Sequence, residues 1–205
     1  IGVTQKTAWF MNHRIRLAMQ GEDGGKLDGD VEIDETYIGG KSRNMNRNQR
    51  AKHLQGGHKR NAWAGKVAVM GLLQRHPAKG ESRVRTFPVE GIRKHAMHER
   101  VSQNVEDGSA IYTDQLQSYW GLDLYYQHNV INHAEKYVEG NVHTNGIENF
   151  WSLLKRTIGG TYVSVEPFHL FRYLDEQAFR FNRRKVTDSD RFFELLTMIT
   201  GKRLE

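Results

Sequence analysis

Apolar residues in this chain arrive in an order that few folds accept: three strand-like runs in succession, one helix, two more short strands, and then helices only. Val31, Ile33, Tyr37 and Ile38 mark the first run, which stops at the Gly39-Gly40 turn. Residues 66–73 (K-V-A-V-M-G-L-L) form the second run and residues 82–89 (S-R-V-R-T-F-P-V) the third. Pro88 has no amide hydrogen to give, so the third run lies at a sheet edge or ends there. Residues 95–105 read as a helix with Ala96, Val101 and Val105 inward, and residues 109–113 as a short apolar strand that delivers Asp114 at its end. Val130 and Ile131 make a last minimal strand. Helices follow over residues 144–158, 167–184 and 188–200, the last stopped by Gly201. The order β-β-β-α-β-(α)-β-α-α-α implies an α/β domain, a mixed sheet flanked by helices, and 205 residues suffice for one sizeable core.

Upstream of the sheet, residues 1–20 read as one helix with Thr4 as N-cap and Ala8, Met11, Ile15 and Ala18 or Met19 near helical spacing. Gly2 followed by Lys6, Thr7 and Arg14 suits the turn and second helix of a helix-turn-helix, the remnant of a DNA-binding unit, and suits a simple packing helix equally. Residues 21–30 are rich in glycine and charge and read as a linker, which leaves 31–205 as the main domain. Residues 41–62 carry Lys41, Arg43, Arg47, Arg50, Lys52, Lys59 and Arg60 and no acid. Such an insertion repels itself until a polyanion neutralises it, so it is either a solvated loop or a DNA-contacting one. Thirty basic against twenty-four acidic residues leave a formal charge of +6, which favours polyanions without dictating a fold. The chain has no cysteine, which excludes disulfides, cysteine-ligated zinc and thiol chemistry for this stretch. No run approaches the roughly 18 apolar residues of a membrane span and no leader pattern is present, so a soluble cytoplasmic protein without membrane partners is expected.

Over residues 144–158 the apolar positions Ile147, Phe150, Trp151, Leu154 and Ile158 make one stripe suited to packing on a sheet. On the opposite face Asn145 lies about 60°, Ser152 about 40° and Lys155 about 20° from Glu148 at 3.6 residues per turn. Glu148 and Lys155 stand roughly 10 Å apart along the axis, which suits a carboxylate that reaches metal and an ammonium that holds a neighbouring phosphate. For this helix alone an ordinary exposed face is the better explanation. Asp34 and Asp114 change that, because both stand in or just after strand-like runs. Mg²⁺ takes hard oxygen ligands, one or two carboxylates per ion with water and phosphate oxygens completing the shell. Two such ions can activate an attacking oxygen and stabilise a leaving one in an in-line displacement at phosphorus. Glu32 and Asp34 share one face of their strand and Glu35 the other; Asp34 is the favoured ligand and the two glutamates the decoys. The candidate site is therefore Asp34, Asp114 and Glu148 on a ribonuclease-H-like sheet with extra C-terminal helices.

The segments V-E-I-D-E-T-Y-I-G-G-K, Y-T-D and H-T-N-G-I-E-N-F-W-S-L-L-K-R, followed by Y-L-D-E-Q-A-F-R-F-N-R-R, resemble the ISXO2-like group of bacterial insertion-sequence transposases in the DDE superfamily. The resemblance covers roughly residues 1–185. It implies a ribonuclease-H-like DDE domain that uses Mg²⁺, with Mn²⁺ as substitute and two ions per site, to nick transposon ends and join the freed 3′-OH to target DNA. It implies double-stranded DNA as partner and a homo-oligomer that synapses two ends. In that group a zinc ribbon and a helix-turn-helix usually precede the catalytic domain. Some relatives carry Asn at the third site position, and here Asn145 and Glu148 are both present. The anion is the better Mg²⁺ ligand, while Asn145 can contact metal-bound water or phosphate. Lys155 matches the group's trailing lysine, a DNA-positioning residue.

His143 lies at the mouth of the Glu148 helix, within reach of phosphate or leaving group. Arg43, Arg47, Arg50, Lys59 and Arg60 of the basic insertion are DNA-contact candidates. Arg180, Arg183, Arg184 and Lys185 end their helix in positive charge, which either grips a DNA backbone or caps the dipole. Two rival functions remain: a nuclease of the same fold that only hydrolyses, and a non-catalytic DNA-binding protein derived from a transposase.

Overall fold

The structure, a computed structural model, describes residues 2–20, 25–40, 47–48, 65–76, 81–131 and 143–203. Five strands form one sheet: β1 (Asp30–Gly39), β2 (Lys66–Gln74), β3 (Arg83–Val89), β4 (Ala110–Thr113) and β5 (Gln127–Val130). Their order is β3-β2-β1-β4-β5, antiparallel across β3, β2 and β1 and parallel across β1, β4 and β5. This mixed sheet with β1 at its centre is consistent with a ribonuclease-H-like fold. β3 forms one edge, as Pro88 requires, and Asn182 closes that edge locally. Its side chain accepts from the Val84 amide at 2.7 Å and donates to the Val84 carbonyl at 3.0 Å, imitating a further strand.

Alternation along β1 divides the interior in two. Val31 and Ile33 face one side, where helix α2 (Lys94–Asn104) buries Met97 and Val101 against Met70, Leu72 and Ile111. Ile38 faces the other, where α3 (Asn145–Gly160) and α4 (Leu170–Asn182) bury Ile147, Phe150, Trp151, Leu154, Leu170 and Leu174 against Val69, Leu73 and Val84. A last helix, α5 (Asp188–Met198), starts with a capping box between Thr187 and Asp190.

Three local expectations are corrected. β5 runs over Gln127–Val130, not Val130–Ile131; its polar residues pair with β4, and His128 Nε2 meets Thr113 Oγ1 at 2.8 Å. Between β4 and β5 stand two 3₁₀ turns, Gln117–Tyr119 and Leu122–Leu124, separated by Gly121 at φ 94°. In α2 the buried positions are Met97 and Val101, as expected for Val101, and Ala96 is only half-buried.

The N-terminal helix α1 (Gln5–Met19) is capped by Thr4, whose side chain accepts from the Thr7 amide. Its packed face carries His13, Arg16 and Ala18, while Met11 is exposed. The reason is electrostatic: Arg16 Nε donates to Glu176 Oε2 on α4 at 2.9 Å and the guanidinium lies 4.1 Å from the Tyr173 ring centre. Tyr162 donates to both Glu176 oxygens at 2.8 Å. α1 thus lies against α4. Leu27, within the stretch expected as linker, is buried and bridges to Val105.

Candidate active site

β1 carries three acids within four residues, and the structure gives each a different environment. Asp34 lies on the α3 face. Trp151 Nε1 donates to Asp34 Oδ2 at 2.9 Å. Burial is the main cause that lifts the Asp34 carboxyl from 3.8 to about 6. A backbone amide and the Trp151 N–H oppose the rise, and the negative charges of Asp114 and Glu148 add to it. Those two charges come from the end of β4 and the first turn of α3.

Register explains the first of these neighbours. β1 and β4 pair in parallel through Asp30–Ala110, Val31–Ile111 and Glu32–Tyr112. Continued two residues further, that register sets Asp114 level with Asp34. The Asp114 carboxylate accepts from the Leu116 amide at 3.0 Å, which turns the chain away after β4. Glu148 is exposed on α3, its backbone amide bonded to Thr144 and its side chain accepting from Thr144 Oγ1 at 3.0 Å.

Glu32 decides where that helix starts. It is 1% exposed, and its Oε1 accepts from Arg75 Nε at 2.7 Å. Its Oε2 accepts from the Ile147 amide at 2.8 Å, one of the donors a helix start leaves unpaired. A Cβ at Gly146 would stand 2.9 Å from Glu32 Oε2, so glycine there lets the helix start close onto the carboxylate. Arg75 also reaches His143, whose Nδ1 lies 3.1 Å from Arg75 Nη2 and 3.5 Å from Glu32 Oε1. His143 is turned toward this pair, of which Glu32 is buried and Arg75 half-buried. Glu35, on the opposite face of β1, accepts from Tyr119 OH at 2.6 Å. Burial lifts its carboxyl from 4.5 to about 7, with Asp114 and Asp34 adding to the rise.

Of the other candidates, Asn145, Ser152 and Lys155 share the exposed face of α3 with Glu148. Arg183 Nε donates to Glu194 at 2.6 Å, and Arg184 donates to the Ser82 carbonyl and hydroxyl at 2.9 and 2.7 Å. These two arginines join α4 to α5 and to the start of β3. Arg47 is exposed; Arg43, Arg50, Lys59 and Arg60 lie outside the described residues, as does most of the basic insertion. Sequence reasoning took Trp151 as core only and Glu32 as a decoy. Gly71 and Gly146 are the signals that could have exposed both contacts, since each glycine marks the spot where one of those side chains crosses close to backbone.

Among the described residues no group of three or more His, Cys, Asp or Glu side chains is gathered closely enough to hold a metal ion outright. The donor set nevertheless fits a hard divalent cation in kind. Asp34, Asp114 and Glu148 supply only carboxylate oxygens, and the charges of the last two disfavour ionisation of the first. Glu148 is exposed, which leaves its side chain rotamer freedom.

Also among the described residues, no helix is long and apolar enough to cross a membrane. Residues 26–182 match the model of the ISXO2-like transposase domain. The chain is also 30% identical over 105 residues to an uncharacterized transposase-like protein of Haemophilus influenzae, a stretch covering 51% of this chain and 85% of that one. Domains of the DDE type typically work with divalent metal, and transposases bind DNA. From β1 through α4, the segment that builds the sheet and all three carboxylates, this chain belongs to the ISXO2-like transposase family of DDE domains.

Proposed function

We propose that this chain is a metal-dependent DNA transposase that cleaves DNA strands and joins the freed 3′-OH to target DNA. Asp34, Asp114 and Glu148 are the residues that would hold the ions. The observation that carries the assignment is geometric: the β1–β4 register sets Asp114 level with Asp34, and the bond from the Trp151 N–H to Asp34 Oδ2 fixes the helix that bears Glu148 to the same strand. Isolated acids on a surface avoid one another; like charges held together on a fixed scaffold suit a cationic guest.

Mg²⁺, with Mn²⁺ as substitute and two ions per site, would supply activation of the attacking oxygen and charge stabilisation of the leaving one. The chain's own part is placement. Glu32 and Trp151 hold α3 against β1, so Glu148 keeps its place beside Asp34. Lys155 and Asn145 on the same exposed face would contact the DNA backbone, and the basic insertion would add charge along its path. His143, held by Arg75 and Glu32, would border the phosphate from the helix start. Water is the first nucleophile, leaving a 3′-OH that attacks a target phosphodiester and expels its 3′ oxygen. No serine or tyrosine nucleophile is needed. DNA ends would be brought together by an oligomer of this chain.

Plasmid nicking and oligonucleotide joining in Mg²⁺ or Mn²⁺ test this, with Ca²⁺ and Asp114→Asn as controls. Joined products that require both metal and Asp114 are expected. Nicks without joining would select a hydrolytic nuclease. Metal-independent DNA binding with neither product would select a non-catalytic binding protein.

A further inference from the structure

We propose that Trp151 is a positioning residue for Asp34: its indole N–H holds one carboxylate oxygen and fixes the rotation of the group without cancelling its charge. This rests on the assignment of Asp34 as a metal-holding residue.

Trp151 is 4% exposed, and an indole N–H buried to that extent requires an acceptor. It uses Asp34 Oδ2 at 2.9 Å. The adjoining strand is shaped to permit this. Gly71 of β2 stands opposite Asp34 in the β1–β2 register. A Cβ there would lie 2.5 and 2.6 Å from two atoms of the indole ring and 2.8 Å from Ile147 Cδ1. The sheet position beside Asp34 therefore holds no side chain, and the indole covers it. Packing alone would be served by a phenyl or a leucine; the N–H aimed at one carboxylate is what packing does not explain.

Glu32, two residues earlier on the same face, supplies the contrast. Its charge is met by the Arg75 guanidinium at 2.7 Å. A carboxylate paired that way is a helix anchor and has little charge left for a cation. Asp34 is held instead by a neutral donor, which orients a carboxylate but leaves its negative charge available. Partners that orient metal ligands characteristically set affinity in this manner.

The test is Mn²⁺ binding to the DNA-free chain, followed by electron paramagnetic resonance of the free ion, with unfolding midpoints measured alongside. Trp151→Phe keeps the ring and removes the donor. Should the smaller ring disturb folding, 3-benzothienylalanine at position 151 keeps the indole shape and loses only the N–H. Asp34→Asn is measured in the same series. We expect the benzothienyl protein, and Trp151→Phe where it folds, to bind Mn²⁺ roughly 10–100-fold more weakly. The benzothienyl protein should keep a wild-type unfolding midpoint in metal-free buffer. Wild-type Mn²⁺ affinity in the benzothienyl protein, with affinity lost in Asp34→Asn, would overturn the positioning role alone. Wild-type affinity in Asp34→Asn would overturn the assignment of Asp34 itself.

Discussion

Removing the Asp34 charge should stabilise the metal-free fold while it abolishes strand chemistry. Asp34→Asn preserves size and leaves an amide oxygen to accept from Trp151. In the wild type the carboxyl is raised from 3.8 to about 6, first by burial and further by Asp114 and Glu148. Between those values the unfolded chain has lost its proton while the folded chain still binds one. Stability from this group therefore falls as pH rises through the window, and the loss is complete above about pH 6. At ~1.4 kcal/mol per pH unit the full difference is ~3 kcal/mol. Partial access of solvent to Asp34 reduces it to ~1–3 kcal/mol. At 2–4 °C per kcal/mol for a domain of this size, the variant should melt about 2–12 °C higher at pH 8 in chelator. Below pH 4 the two proteins should melt together. Glu35 titrates in the same direction at about 7, so the difference between variant and wild type, not the wild-type curve, isolates Asp34. Thermal melts by circular dichroism from pH 3.5 to 8 provide the check. A variant less stable than wild type at pH 8, or a difference independent of pH, would refute the reasoning.

Glu32→Ala leaves the half-buried Arg75 guanidinium without that carboxylate and the Ile147 amide without an acceptor, and should cost ~1–3 kcal/mol in urea unfolding. Gly71→Ala and Gly146→Ala insert a methyl against the Trp151 ring and the Glu32 carboxylate respectively. Each should destabilise by ~1–3 kcal/mol in the same assay. Glu176→Ala removes the acceptor shared by Arg16, Tyr162 and Arg180, and should release α1 from α4. Amide exchange should then accelerate across Gln5–Met19 while β1 and β2 remain protected.

The order of elements is legible because apolar periodicity reports which face of each segment is buried. It fails where polar residues do the packing. β5 is Gln127, His128 and Asn129 before Val130, so its pairing with β4 leaves almost no apolar trace. α1 hides its contact face for the same reason: Arg16 and His13 are inward, and the partner that makes Arg16 tolerable there is Glu176, far along the chain. Asp34, Asp114 and Glu148 are legible as candidates because they stand within a strand, just after another and in the first turn of a helix, where side chains of different elements can meet. The separate fates of Glu32, Asp34 and Glu35 are not. One acid meets an arginine, one a tryptophan N–H and one a tyrosine hydroxyl, and β1 alone does not distinguish them. Only the tertiary pairing of β1 with β2, α3 and the turn at Gln117–Tyr119 does so.

Diffraction from crystals grown with Mn²⁺, collected at the manganese absorption edge, tests the central claim most directly. The account predicts anomalous density against the carboxylates of Asp34 and Asp114, with Glu148 completing the site from α3. Manganese bound elsewhere, or bound at Asp34 and Asp114 with Asn145 in place of Glu148, would contradict it.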